Sequence, residues 1–128
     1  MTRRPHLDAL PDVAPAICSD AFAVEFARDV PADEVVAWLR TFATRAAADA
    51  RARGGFVGHI KLYAEAEPAF ACWVASTGGA ASVLVRHAAG ALRGCRVAVT
   101  AIVFRTTVDV LRAEIGRLFH ESAPRPGA

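Results

Sequence analysis

The sequence contains a single lysine, and none of its cysteines lie close together in the chain. Of its 15 basic side chains only Lys61 is a lysine. Because a guanidinium cannot replace the compact, titratable ammonium of lysine, a lysine kept in an arginine-rich chain is a candidate functional residue. The three cysteines (Cys18, Cys72 and Cys95) include no CxxC pair. This odd, scattered set does not predict a disulfide framework, so we expect a reducing compartment, the cytoplasm.

Strong net charge and long apolar runs are also missing. The 15 basic and 13 acidic side chains leave a formal charge of +2, which predicts no nucleic-acid partner, since such partners require a clustered basic patch. No stretch approaches the roughly 20 apolar residues of a membrane span. Asp8, Pro11 and Asp12 interrupt the first residues, so no signal peptide is predicted. We expect no membrane partner.

Motifs for metal, cofactor or covalent chemistry are absent as well. The four histidines show no paired spacing such as HxxxH, so we predict no metal site. Ser76 does not sit in a G-x-S-x-G elbow. Gly54 and Gly55 lead from a helix into a strand, whereas a phosphate-binding loop leads from a strand into a helix. We predict no cofactor and identify no catalytic residue, and the sequence favours a non-enzymatic protein.

What remains is an apolar chain that fits one domain. Hydrophobic residues make up 54% of the 128 positions, enough for a core without disulfides. Prolines and the lack of periodicity predict an extended or mobile arm over residues 1–19. The composition of residues 122–128 predicts a disordered tail. The folded domain is expected over residues 20–121.

Hydrophobic periodicity predicts five strands and two helices in the order β-α-β-β-β-β-α. The strands are expected over residues 21–28, 56–64, 70–76, 81–87 and 95–105. The first helix follows Pro31 and ends at Gly54, and the second covers residues 108–120 after a cap at Thr106 or Thr107. This order predicts an α+β fold, with an antiparallel sheet of about five strands and both helices on one face. A short helix within residues 81–92 is the alternative, because residues 88–92 are rich in alanine.

Each predicted helix carries an apolar stripe for the core. The stripe of the first helix is Val35, Trp38, Leu39, Phe42, Ala46 and Ala50. The stripe of the second helix is Val108, Leu111, Ile115, Leu118 and Phe119.

A Gly-Gly pair at positions 78 and 79 predicts a two-residue hairpin loop and fixes the register of the strands beside it. Counting outward from the loop, Trp73 faces Leu84 and Ala71 faces Arg86. Arg86 then lies diagonal to Trp73, within reach of a cation–π contact.

Alternation in the second strand separates a core face from an open face. Phe56, Ile60 and Leu62 are expected in the core, which places His59, Lys61 and Tyr63 on the uncovered side. Glu25 of the first strand would join them. Alternation cannot assign Trp73, Arg86, Ile102 and Phe104, because their strands are apolar on both faces.

The candidate ligand- or partner-binding residues are therefore His59, Lys61, Tyr63, Glu25, Trp73 and Arg86. The leading hypothesis is a small accessory domain that binds itself or another protein through the open sheet face or a sheet edge, because two helices cannot hide all of its apolar surface. The alternative is a small-molecule binder or small enzyme, with His59, Lys61 and Tyr63 as its polar groups and Glu25 as an orienting carboxylate. An ordinary exposed sheet surface would also carry polar residues at every second position.

Overall fold

The computed structural model describes residues 14–67, 69–86 and 90–124. It contains five strands, namely β1 (Pro15–Pro31), β2 (Phe56–Ala66), β3 (Phe70–Ser76), β4 (Ser82–Arg86) and β5 (Ala91–Phe104). The helices are α1 (Ala32–Ala52), between β1 and β2, and α2 (Val108–Ser122), after β5. The strands form one antiparallel sheet in the order β1-β5-β2-β3-β4. The predicted α+β class, element order and helix count are confirmed.

The two helices pack on one face of the sheet and enclose the core. Val35, Leu39 and Phe42 of α1 are fully buried, as are the inward side chains of the central strands. Phe119 of α2 stacks on Phe22 of β1, with 4.2 Å between the ring centroids. No helix in the described residues is long and apolar enough to cross a membrane.

The C-terminal end of α1 and the N-terminal end of α2 form as the sequence indicates, whereas α2 continues past its predicted end at residue 120 to Ser122, the first residue of the predicted tail. Gly54 follows α1 with a φ of +86°, and its N–H donates to the Arg51 carbonyl while that of Gly55 donates to Ala50. This Schellman arrangement needs the left-handed conformation that glycine adopts at no cost. At the start of α2, the Thr107 hydroxyl accepts a hydrogen bond from the Val110 N–H at 3.2 Å.

Two strands begin earlier in the chain than predicted. β1 begins at Pro15, inside the expected arm, because Ala16 and Cys18 alternate with exposed neighbours and are buried. These side chains are too small to stand out as a hydrophobic pattern. β5 begins at Ala91 instead of residue 95, and Leu92 is buried. The remainder of the predicted arm (1–13), residues 87–89 and the last four tail residues lie outside the described residues.

The region from residue 70 to 86 forms the predicted hairpin. Trp73 pairs with Leu84, and Ala71 pairs with Arg86. Residues 82–86 are therefore a strand, and the alternative of a helix beginning at residue 81 is wrong for this segment. β2 continues to Ala66, two residues beyond the strand predicted over residues 56–64.

Phe56 lies on the opposite face from the one predicted. The pairing of β2 with β5 shifts between Val57 and His59, so that Gly58 forms a β-bulge. The extra residue reverses the alternation, which buries Val57 and leaves Phe56 67% exposed. Ile60 and Leu62, beyond the bulge, are buried as predicted.

Val108 is a second correction to the predicted core. It is the first residue of α2 and is 38% exposed. The inward stripe of this helix begins one turn later, at Leu111, which is buried.

Candidate functional site

One face of the sheet is left uncovered by the helices, and we call it the open face. It consists of the outward side chains of all five strands, and the register aligns them in rows across the sheet. Its members are Ile17, Ser19, Ala21, Ala23 and Glu25 of β1; Arg96, Ala98, Thr100, Ile102 and Phe104 of β5; Phe56, His59, Lys61, Tyr63 and Glu65 of β2; Ala71, Trp73 and Ala75 of β3; and Ser82, Leu84 and Arg86 of β4.

Large apolar side chains are concentrated on the open face. Among the described residues, six large hydrophobic side chains are exposed, and four of these lie here. They are Ile17, Phe56, Trp73 and Leu84, with exposed fractions of 54%, 67%, 38% and 59%. Ile102 and Phe104, which alternation could not assign, are half-buried beside Ile17 and Phe56. Solvation alone does not explain such clustering on one face.

Tyr63, Trp73 and Arg86 form a cluster across three neighbouring strands. The Tyr63 and Trp73 rings are in contact, with 5.0 Å between their centroids and a tilt of 46° between their planes. The Arg86 guanidinium lies over the Trp73 ring, 5.9 Å from its centroid, and confirms the predicted cation–π contact. The Tyr63 hydroxyl donates a hydrogen bond to Glu65 at 3.2 Å. Partial desolvation and this hydrogen bond raise the pKa of the Tyr63 phenol, so the phenol stays protonated.

Beside this cluster the open face forms a groove with a volume of about 660 Å³. Tyr63 and Trp73 provide an aromatic wall, and small residues such as Ala23, Ala71 and Gly94 lie between the longer side chains. The charged residues of the lining are Arg86, Arg96, Glu65 and Glu67. In the part of the chain that the structure describes, no ion pair joins these four side chains to one another.

The three polar residues predicted on β2 share the open face but do not converge in one cavity. Tyr63 lines the groove, whereas Lys61 lines a shallower depression of about 350 Å³ together with Trp73 and Leu84. His59 is half-buried opposite Ile102 and lines neither of these cavities. The arrangement does not bring His59 and Lys61 together with Tyr63 around a common ligand position.

Glu25 lies on the predicted face but far from the β2 residues it was expected to orient. It pairs with Gly94, and β5 separates its strand from β2. The carboxylate that contacts Tyr63 belongs to Glu65. Sequence reasoning missed Glu65 because the strand was predicted to end at residue 64. It also missed Arg96, which pairs with Glu65 across the strands. The even spacing of Arg96 and Ile102 in the sequence already placed both on the same face.

The cysteines are not candidates for a nucleophile. All three are buried and unpaired to one another. Burial raises the pKa of Cys95 to about 11, and it also raises the pKa of Cys18 and Cys72. A thiol with a raised pKa supplies little thiolate near neutral pH. No group of three or more potential metal-ligating side chains occurs within the described residues.

No protein-family model matches this sequence, and no curated protein matches it. Two solved structures resemble the fold weakly. The zinc(II)-bound YjiA GTPase from E. coli aligns with 92% of this chain at 15% identity and a TM-score of 0.38. A zinc(II)-bound triple mutant of the YjiA GTPase aligns with 78% of it at 16% identity and a TM-score of 0.36. This chain spans about a third of the length of those proteins, with 33% and 29% of them covered.

Proposed function

We propose that this protein is a non-enzymatic assembly domain that pairs with a second copy of itself through the open face. The observation that carries the proposal is the gathering of Ile17, Phe56, Trp73 and Leu84, all exposed, on one uncovered sheet surface. Covering these side chains removes apolar area from water, which is the main driving force of association. The three separately buried thiols agree with a reducing, cytoplasmic setting.

The size of the open face suits a dimer interface. Five strands spaced about 4.8 Å apart give a width of roughly 24 Å. The outward residues of β5, from Arg96 to Phe104, extend over roughly 26 Å at about 3.3 Å per residue. The resulting footprint of roughly 600 Å² is about three quarters of the ~800 Å² that each partner contributes to a stable interface of standard size.

The charges of the open face are compatible with a second copy as partner. The face carries Lys61, Arg86 and Arg96 against Glu25 and Glu65. Because both signs are present in nearly equal number, two identical faces do not repel each other as a whole. A two-fold axis can place an arginine of one copy opposite a glutamate of the other, and every such contact then occurs twice.

A small-molecule function has one specific observation in its favour, the groove beside Trp73. Its volume lies within the range of ligand pockets, about 300–1,000 Å³. The polar triplet first expected to serve such a ligand is divided between separate positions. We therefore assign no catalytic residue and treat the groove as a binding site.

Sedimentation equilibrium combined with acrylamide quenching of tryptophan fluorescence tests the proposal. Trp38 is 5% exposed and Trp73 is 38% exposed, so quenching of the native chain reports mainly on Trp73. We expect a monomer–dimer equilibrium in which quenching falls as the dimer fraction rises. A monomer at every concentration would contradict the proposal, and a dimer with unchanged quenching would place the interface elsewhere.

Lys61 offers a second readout because it is the only lysine of the chain. It lies exposed in the row between Thr100 and Ala75. Labelling with an amine-reactive reagent, followed by mass spectrometry, should slow at Lys61 as the protein concentration rises. An equal rate at Lys61 in monomer and dimer would count against a covered face.

A further inference from the structure

The groove combines an aromatic wall with both signs of charge. Tyr63 and Trp73 form the wall, and Arg86, Arg96, Glu65 and Glu67 supply two positive and two negative groups. A lining without net charge gives no advantage to a simple anion or cation. It is complementary to a ligand that carries both charges and a flat apolar body. We propose that the groove binds a zwitterionic aromatic ligand of the α-amino acid class.

Arg86 is positioned to receive the carboxylate of such a ligand. Its guanidinium lies over the Trp73 ring, which fixes one face of the guanidinium against the indole. The N–H groups lie in the guanidinium plane, and they donate no hydrogen bond within the part of the chain that the structure describes. A planar fork of donors matches a carboxylate bidentately, whereas an amide side chain cannot supply the same charge and geometry.

Glu65 is positioned to receive the ammonium group. It follows Tyr63 by two residues on β2, and its Oε1 accepts a hydrogen bond from the Tyr63 hydroxyl at 3.2 Å. The other carboxylate oxygen accepts no side-chain hydrogen bond among the described residues and can receive an ammonium group. Glu65 pairs with Ala71, which pairs with Arg86. The Cα atoms of Glu65 and Arg86 are therefore two strand spacings apart, roughly 10 Å. The methyl group of Ala71 fills little of this gap, so a small ligand fits between the two charged side chains.

The aromatic ring of the ligand would lie against Tyr63 and Trp73. These rings are tilted by 46° to each other and offer an edge and a face to a third ring. The ammonium group beside them would also gain from the negative faces of the rings. Each part of the proposed ligand thus meets a group of the matching kind in the groove.

Three probes separate the contributions of the two charges. They are L-phenylalanine, 3-phenylpropionate, which lacks the ammonium group, and 2-phenylethylamine, which lacks the carboxylate. Binding is followed by the change in Trp73 emission under excitation that phenylalanine does not absorb, with Trp73→Phe as the check on the origin of the signal. Dilute protein keeps the chain monomeric by mass action, so the result does not depend on self-association.

We expect L-phenylalanine to bind about tenfold more tightly than either probe with a single charge, because one hydrogen bond to a charged group strengthens binding by about tenfold. Arg86→Gln should weaken L-phenylalanine and 3-phenylpropionate by about tenfold and leave 2-phenylethylamine unchanged. Glu65→Gln should weaken L-phenylalanine and 2-phenylethylamine and leave 3-phenylpropionate unchanged. Arg93→Gln is the matched control, because Arg93 lies on β5 outside the groove lining.

The alternative results are distinct. Equal binding of all three probes would show apolar adsorption to the rings and would overturn the proposal. So would an absence of any emission change up to the solubility limit of L-phenylalanine, or an equal effect of Arg93→Gln and Arg86→Gln. Circular dichroism of each variant confirms that the sheet is intact before binding is compared.

Discussion

Leu84→Lys should dissociate the proposed dimer without unfolding the chain. Leu84 is 59% exposed on β4, so its replacement removes few native contacts of the single copy. Complete burial of a leucine side chain stabilises by about 1.5–3 kcal/mol, and the exposed fraction of Leu84 accounts for about 0.9–1.8 kcal/mol of this. Because a two-fold interface buries the residue twice, the loss is about 1.8–3.6 kcal/mol. The dissociation constant should rise about 20- to 400-fold.

The assay compares the dissociation constants of three proteins by sedimentation equilibrium. They are the natural chain, Leu84→Lys and Val110→Lys. Val110 is 43% exposed in the first turn of α2, away from the open face, and its substitution adds the same charge. Only Leu84→Lys should weaken the dimer. An unchanged constant for Leu84→Lys, or an equal rise for both variants, would refute the assignment of the interface to the open face.

Three further predictions concern stability and reactivity. Gly116→Ala should raise the free energy of unfolding by about 1 kcal/mol, because no atom lies within 4 Å of the methyl group added in the middle of α2. Gly94→Ala should lower the free energy of unfolding by about 1–3 kcal/mol, because its methyl group would overlap a backbone carbonyl of β1. Urea unfolding measures both, and equal effects would contradict the β1–β5 packing. Phe119→Ala should cost about 3–5 kcal/mol and Phe56→Ala less than about 1 kcal/mol, because the first ring is 1% exposed and the second is 67% exposed. The buried thiols, including Cys95 with its pKa of about 11, should react with a disulfide reagent at mildly alkaline pH only as fast as the chain unfolds; rapid reaction of the folded chain would show that they are accessible.

Local sequence signals were sufficient for the element order because each signal acts at short range. Gly78 and Gly79 set the hairpin register that brings Arg86 over Trp73, and Gly54 ends α1 where glycine was expected to end it. The same alternation failed at Phe56, since one bulge residue reverses the two faces of a strand. An isolated glycine within a strand is itself a bulge signal, so Gly58 could have indicated the reversal.

The candidate site was predicted only in part. His59, Lys61, Tyr63 and Glu25 lie on the face assigned to them, but a sequence does not state which strands are neighbours. Because β5 lies between β1 and β2, Glu25 is remote from Tyr63, and Arg96 takes a place beside Glu65. The groove depends on this strand order and on small residues such as Ala71, which carry no functional signal of their own.

The position of β5 also has a consequence for how the chain is made. β1 pairs only with β5 among the described strands. Phe22, for example, can pair only after Val97 has been synthesised, much later in the chain. Until β5 leaves the ribosome, β1 lacks its strand partner, and no described strand connects it by hydrogen bonds to the sheet of β2, β3 and β4. Non-local pairing of this kind slows folding and exposes strand edges in the interval. The sheet is therefore expected to be completed only after β5 has been synthesised, when this strand joins β1 to β2.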